Sequence, residues 1–345
     1  MTRAPLRVGV LSFAHYHANF WSEVFATRGA LAGIWDDDAA RGAEAAARFG
    51  TAFEPALDAL LERCNAVAIC SETAAHAPLI DAAAAQGCAI LCEKPLGTSL
   101  ADTERIAATV MRHGTWFMQS FPKRFDPVTT RLREAVDGGE LGRVTLARVR
   151  HGHYYGLRPD FAQRWYVRRA LAGGGALLDE GVHAADLLGF LFGPPASVVA
   201  ETSDATLGLE VEDLGLATFR WANGMLGEIV SSFTFAAADT SIELYGTRGT
   251  LLVSGVDLAS RDITPGGFVR RFRDDAPERR WEPLDIVPRF KRGEFHQQNA
   301  IAFADALERG APPPIGIEAG VAASRMIDAA YRAAASGARV TLMTP

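Results

Sequence analysis

Over its first 121 residues the chain alternates short apolar runs with helix-period segments, and this alternation limits the possible folds more than any other feature. Leu6–Phe13, Leu31–Trp35, Ala66–Cys70, Ala89–Cys92 and Thr115–Phe121 read as strands. Between them, Tyr16–Arg28, Ala39–Phe49, a stretch from Pro55 to about Glu62, Ala75–Gln86 and a segment capped by Thr98 or Ser99 and running to His113 read as helices. Gly50, Gly87 and Gly114 stand where three of these helices should stop. The strands are apolar throughout rather than alternating, so they belong to a parallel sheet covered on both faces. The pattern is doubly wound α/β, in which ligands bind at the carboxyl ends of the strands.

The character changes after Phe121. Arg124–Asp137 reads as a helix, Val144–His153 as a half-exposed strand and Gly173–Phe192 as one long helix stopped by Gly193-Pro194-Pro195. Meandering strand-like runs follow: Ser197–Thr202, Leu214–Trp221, Met225–Thr234, Ser241–Tyr245 and Gly249–Val253. Glu294–Glu308 and Ile317–Ala335 are closing helices, and Asp257–Pro288 is the expected place for variable loops. The expected division is a doubly wound domain over 1–122 and an α+β domain over 123–345 with a largely antiparallel open sheet. A length of 345 residues accommodates two such domains.

Charge and cysteine usage narrow the class. A net charge of −6 carries no basic footprint for nucleic acid. Cys64, Cys70, Cys88 and Cys92 lack metal or redox spacing and fit reduced thiols in a cytoplasmic protein. No secretory leader and no membrane span are expected.

The turn after the first strand reads Gly9-Val10-Leu11-Ser12-Phe13-Ala14-His15-Tyr16-His17. A dinucleotide fingerprint, GxGxxG, would fall on Ser12, Ala14 and His17, with all three glycines replaced. Its context is nonetheless that of a dinucleotide site, with a strand before the turn and a helix after it. Asp36, at the end of the second strand, is placed as a ribose-binding carboxylate. The alternative is that Asp36-Asp37-Asp38 simply opens a helix, where acids suit the dipole.

Two further segments carry chemistry. Cys92-Glu93-Lys94-Pro95-Leu96 ends a central strand, which puts Lys94 at the ligand side of the sheet. In Gly173-Gly174-Gly175-Ala176-Leu177-Leu178-Asp179-Glu180-Gly181-Val182-His183, Asp179 and His183 are spaced to share a helix face. The glycines permit close approach of another backbone or a flat ring. Together with Gly138-Gly139-Glu140-Leu141-Gly142, Thr73…His76-Ala77-Pro78 and the Pro312–Thr341 region, these segments resemble the Gfo/Idh/MocA family of NAD(P)-dependent oxidoreductases over nearly the whole chain.

The resemblance implies an N-terminal Rossmann domain, and roles for named residues. Lys94 contacts the substrate hydroxyl, His183 is the general acid/base, and Asp179 holds substrate and imidazole in place. Ser12, Phe13, Ala14, His15, Asp36, Ser71, Glu72, His76, Glu93 and Lys94 line the cofactor. Lys123, His153 and Trp165 are candidate substrate contacts, and no metal site is expected, since His151 and His153 have no third ligand placed by spacing. His17-Ala18 can also match the family's histidine-alanine pair, in which case the turn is shortened rather than substituted; both registers stand. The expected cofactor is NAD rather than NADP, with Arg41 as the residue that complicates this. The expected activity is hydride transfer between NAD and a sugar, inositol or related polyol hydroxyl. The alternatives are an NAD-dependent glycoside hydrolase and a non-catalytic regulator that binds NAD or sugar. A homodimer or homotetramer is expected, with no membrane partner.

Overall fold

Each of the five apolar runs of the first 121 residues contributes a strand to one parallel sheet. The computed structural model describes residues 5–236, 240–256, 268–278, 280–287 and 293–342. The strands are β1 (Val8–Leu11), β2 (Leu31–Trp35), β3 (Ala66–Ile69), β4 (Ala89–Cys92) and β5 (Phe117–Gln119), in the order β2-β1-β3-β4-β5. They alternate with helices α1 (His17–Thr27), α2 (Ala39–Phe49), α3 (Leu57–Leu61), α4 (His76–Ala85) and α5 (Leu100–His113). With this order the strand sequence reverses between β1 and β3, so the ligand crevice opens at their carboxyl ends. Local signals set the helix ends. The Asp38 side chain accepts from the N–H groups of Ala40 and Arg41 and starts α2, and Ser99 accepts from Asp102 and starts α5. Gly50 and Gly114 stop the same two helices in the left-handed conformation.

The second sheet has nine strands in the order β13-β12-β11-β10-β6-β9-β8-β7-β14. They are β6 (Val144–His151), β7 (Ser197–Ser203), β8 (Leu214–Arg220), β9 (Leu226–Ser232), β10 (Thr240–Gly246), β11 (Gly249–Val256), β12 (Val269–Arg273), β13 (Trp281–Leu284) and β14 (Val340–Thr341). All neighbouring pairs are antiparallel except β6 with β9. Helices α8 (Ala176–Asp179) and α9 (Gly181–Phe192) pack against β6, β8 and β9, and α6 (Pro127–Asp137) packs on α9; α7 (Arg169–Ala172) precedes them in the chain. In β8 and β9, Ala217, Phe219 and Ile229 are fully buried.

Three expectations change. The long helix over Gly173–Phe192 is two helices, broken at Glu180, and the three glycines precede it in non-helical backbone. The loop expected over Asp257–Pro288 contains β12 and β13; their Arg and Glu residues hid them from hydropathy, yet Arg271 pairs with Glu282 across the two strands at 2.6 Å, as suits polar strands at a sheet edge. Residues 257–267, 279 and 288 of that segment lie outside the described residues.

The chain also divides differently. One compact unit is residues 1–122 with 293–321; the other is 123–292 with 322–345. Segment 293–321, expected with the second domain, belongs with the first because helix α10 (Glu294–Arg309) packs on α1. Phe303 meets the rings of Phe25 and Trp116, and Trp116 donates its indole N–H to the Ala311 carbonyl. Helix α11 (Ile317–Ser336) begins in the first unit and ends in the second. All four cysteines are free thiols, and burial, followed by the neighbouring Cys88, pushes Cys64 up to about 12. No helix among the described residues is long and apolar enough to cross a membrane.

Candidate active site

In the first unit the turn from β1 to α1 has the backbone shape of a glycine turn without the glycines. Ser12 takes a left-handed φ of +72°, the conformation that favours glycine at the first fingerprint position. Its neighbours are tied to the strand ends on either side. The Phe13 N–H donates to Asp36 Oδ2 at 2.7 Å, and the His15 N–H donates to the Cys70 carbonyl at 2.9 Å. Ala14 N–H reaches Ser12 Oγ at 3.2 Å, and His17 N–H reaches His15 Nδ1 at 3.2 Å. The turn therefore satisfies most of its own donors, replacing an open glycine cradle by side chains that cap it from within.

Asp36 is buried at the end of β2 and gathers donors from three directions. Arg41 grips it through Nε and Nη2, at 2.9 and 2.6 Å, and Asp38 N–H joins Phe13 N–H on the carboxylate. Burial works to raise this carboxyl, but the Arg41 guanidinium and the two N–H groups outweigh it and hold it below the usual range. Arg41 also reaches Ser12 Oγ and Asp37, and lies 3.9 Å from Glu72. Ser12, Phe13, Ala14, His15, Asp36, Ser71 and Glu72 are thus brought together at the β1/β3 crevice.

The end of β4 forms the other half of this unit's site. Glu93 is fully buried; Ser120 donates to its Oε2, which lies 3.2 Å from His17 Nδ1. Lys94 is also buried, at 3% exposure. Burial first, and the Lys94 cation second, hold His17 well below the usual imidazole range, so it is neutral at pH 7. His76 is anchored through Nδ1 to the Leu96 carbonyl at 3.2 Å, which fixes the Glu93–Leu96 segment against α4. His296, near the start of α10, is buried, its ring 3.5 Å from that of His17. It closes over the first turn of α1.

In the second unit two of the three glycines make room for a carboxylate and the tyrosine that bonds it. A Cβ on Gly175 would stand 2.0 Å from the Glu212 carbonyl oxygen, and one on Gly174 would stand 2.3 Å from the Tyr331 hydroxyl. The close approach lets Glu212 accept from the N–H groups of Gly175 and Leu177 and from Tyr331 Oη, at 3.0, 3.0 and 2.6 Å. A buried anion therefore holds the N-terminus of α8, where the helix dipole favours it. Asp179 ends α8 and His183 lies on the first turn of α9, with Glu180 at the break between them. Glu180 turns its carboxylate to β6: His151 Nε2 lies 3.2 Å and His153 Nε2 3.7 Å away. The His151 ring meets His183 at 4.9 Å and 85°. Asp186, one turn beyond His183, is held by Arg124 through two hydrogen bonds of 3.0 and 2.6 Å. Lys123 is buried beside Arg124 in the chain, and Trp165 stacks obliquely on Tyr166 at 4.1 Å.

Two groups have the donor atoms for a metal, His15/His17/Glu93 in the first unit and His153/Asp179/Glu180 in the second, each within 4.8 Å. In both, one histidine accepts a backbone N–H at Nδ1: His15 from His17, and His153 from Tyr155. The ring proton is then on Nε2 and neither nitrogen has a lone pair to offer, whereas a metal-bound imidazole donates from its second nitrogen. The hydrogen bonding favours proton chemistry at both places.

Residues 6–121 match the family described as an oxidoreductase family with an NAD-binding Rossmann fold, and residues 129–252 match the GFO/IDH/MocA C-terminal domain. A D-xylose 1-dehydrogenase (NADP(+)) of Haloferax volcanii is 30% identical over 271 residues, 77% of each chain. The chain belongs to the Gfo/Idh/MocA family of oxidoreductases. An inositol 2-dehydrogenase of Rhizobium meliloti is 27% identical over 288 residues, 81% of each chain. Among solved structures, a levoglucosan dehydrogenase in complex with NADH shares the fold, with a TM-score of 0.86 at 22% identity over 99% of this chain and 100% of that one. Within this Gfo/Idh/MocA chain, the residue that sequence reasoning missed is Glu180. Its signal was a charge inside an apolar helix pattern, directly beside Asp179.

Proposed function

We propose that the protein oxidises a secondary hydroxyl of a sugar, inositol or related polyol, or reduces the matching carbonyl, with NAD. Lys94 carries the reading: it is buried, at 3% exposure, just past the carboxyl end of parallel strand β4, where a doubly wound sheet binds its ligands. The first unit's residues fit the dinucleotide through Ser12 in the glycine conformation, Asp36 at the ribose position and Glu93-Lys94 at the end of β4. When bound, NAD supplies the hydride acceptor. Lys94 stabilises negative charge growing on the substrate oxygen. His183 takes the hydroxyl proton in oxidation and returns it in reduction. Asp179 orients substrate and imidazole, and Lys123, His153 and Trp165 contact the rest of the substrate. A panel of polyols and sugars offered with NAD tests this. Accumulating NADH supports the dehydrogenase; glycoside cleavage without net NADH supports the hydrolase reading; NAD binding with neither reaction supports a regulator.

NAD is preferred because the cation near the ribose is already neutralised. Arg41 faces Asp36, Asp37 and Glu72, so a 2′-phosphate would meet three carboxylates. Calorimetric titration should show weaker NADP than NAD binding in the wild type. Asp36→Ala frees Arg41 and should move the ratio toward NADP by about tenfold, the worth of one charge-assisted hydrogen bond. NADP binding as tightly as NAD to the wild type would overturn the preference.

The protein assembles through its open sheet. Val199, Leu214, Leu216 and Leu226 are each more than a third exposed and lie on one face of β7, β8 and β9. Exposed apolar side chains gathered on one sheet face call for cover. Light scattering at micromolar concentration should give a dimer or tetramer mass, and a monomer mass would refute the assembly.

A further inference from the structure

Glu180 has no part in the roles above, yet its carboxylate is buried and faces two histidines from another element. Both rings are also fixed at their other nitrogen. His151 Nδ1 lies 3.3 Å from Thr240 Oγ1, and His153 Nδ1 accepts the Tyr155 N–H at 3.2 Å. His153 is further stacked on Phe233, with ring centroids 5.1 Å apart and 14° between planes. Since His153 accepts at Nδ1, its proton is on Nε2, on the side of Glu180. Both imidazoles are thus within ion-pair distance of one buried carboxylate. The His151 ring in turn stands against His183.

We infer that Glu180 is a positioning residue for the base: through His151 and His153 it sets how many protons the imidazole cluster around His183 holds. The inference rests on His183 being the base. Among the described residues, the charged and titratable groups near the cluster include Asp179 at the end of α8, His151 at the end of β6, His153 just past it, and the Arg124–Asp186 pair, with the hydroxyl of Thr240 from β10 on His151. His153 cannot take a second proton without losing the Tyr155 hydrogen bond, so an added proton goes to His151 or His183. The set then titrates as a unit, with midpoints that belong to the cluster. A negative charge this close favours the protonated imidazole. Glu180 therefore extends upward the pH range over which the His151–His183 pair keeps a proton, and with it the range in which the pair can supply one for carbonyl reduction.

Glu180→Gln removes the charge and keeps the shape. Two measurements follow it: the pH dependence of kcat/KM for oxidation, and the ring titration of isotope-labelled histidines by NMR in the full-length protein. Both midpoints should fall by ~1–3 pH units, and Glu180→Asp should restore most of the shift. A lower rate with an unmoved midpoint would overturn the inference, since a merely structural role changes amplitude alone. If Glu180→Gln does not fold, the wild-type titration decides. At least one of the His151 and His183 rings must then titrate above the ordinary ~6.5, and both titrating at or below it overturns the inference. The ring titration needs no substrate, so it stands or falls separately from the dehydrogenase assignment.

Discussion

His183→Ala should lower turnover by ~10²–10⁴-fold on any polyol that reduces NAD, the usual contribution of general acid–base catalysis. NAD affinity should change little, because the substitution lies in the second unit, outside the residues assigned to the dinucleotide. Lys94→Met should cut turnover by a comparable factor, because a cation that stabilises developing oxyanion charge is lost. Asp179→Asn should do less harm, since the base remains and only its orientation and field change. The three losses should be far from additive, as expected of groups that act on one transition state. Steady-state kinetics on a substrate found by screening decides the matter. Near wild-type turnover in His183→Ala would remove the mechanism and leave the fold untouched.

The largest effect on stability is expected at Arg124. Its guanidinium, 19% exposed, grips the 2%-exposed Asp186 carboxylate and lies over the Phe190 ring at 4.7 Å. Arg124→Met keeps much of the packing and leaves the anion buried alone, which typically costs about 3–5 kcal/mol. The loss should depend on pH with a definite sign. Burial pushes Asp186 up to about 6 against the pull of Arg124, from an ordinary value of 3.8. Without Arg124 it rises further. A carboxyl raised in the folded state binds more protons folded than unfolded, so stability increases as pH falls through the folded value toward the unfolded one. Urea unfolding should show the widest gap between variant and wild type at neutral pH and a narrower one on acidification. A gap that widens with acid would contradict the assignment.

The parts of this molecule that were legible in its sequence are those set by local chemistry. Apolar strands, Asp38 and Ser99 as helix starts, and Gly50 and Gly114 as stops were read from neighbours in the chain. Asp36 was legible because strand end and spacing together place it. The parts not legible depend on partners far along the chain. The break at Glu180 is invisible to propensity, since glutamate is a good helix former, and the two histidines its carboxylate faces lie about thirty positions earlier. The glycines before α8 were read as room for a ligand or backbone, and only the fold shows the occupant to be Glu212 with Tyr331. Asp186 has no local sign of its partner, since the arginine that holds it lies 62 positions earlier.

The return of residues 293–321 to the first unit has a consequence for synthesis. A ribosome completes all five strands and five helices of the doubly wound unit long before it makes the piece that covers α1. Until Phe303 emerges, Phe25 and Trp116 lack the ring that closes over them, and the Trp116 indole N–H lacks the Ala311 carbonyl. The nascent domain thus waits, with an apolar face toward solvent, through the translation of the entire nine-stranded sheet but its last strand. Vectorial folding from the amino terminus cannot finish the first unit; its final helix is delivered by the second.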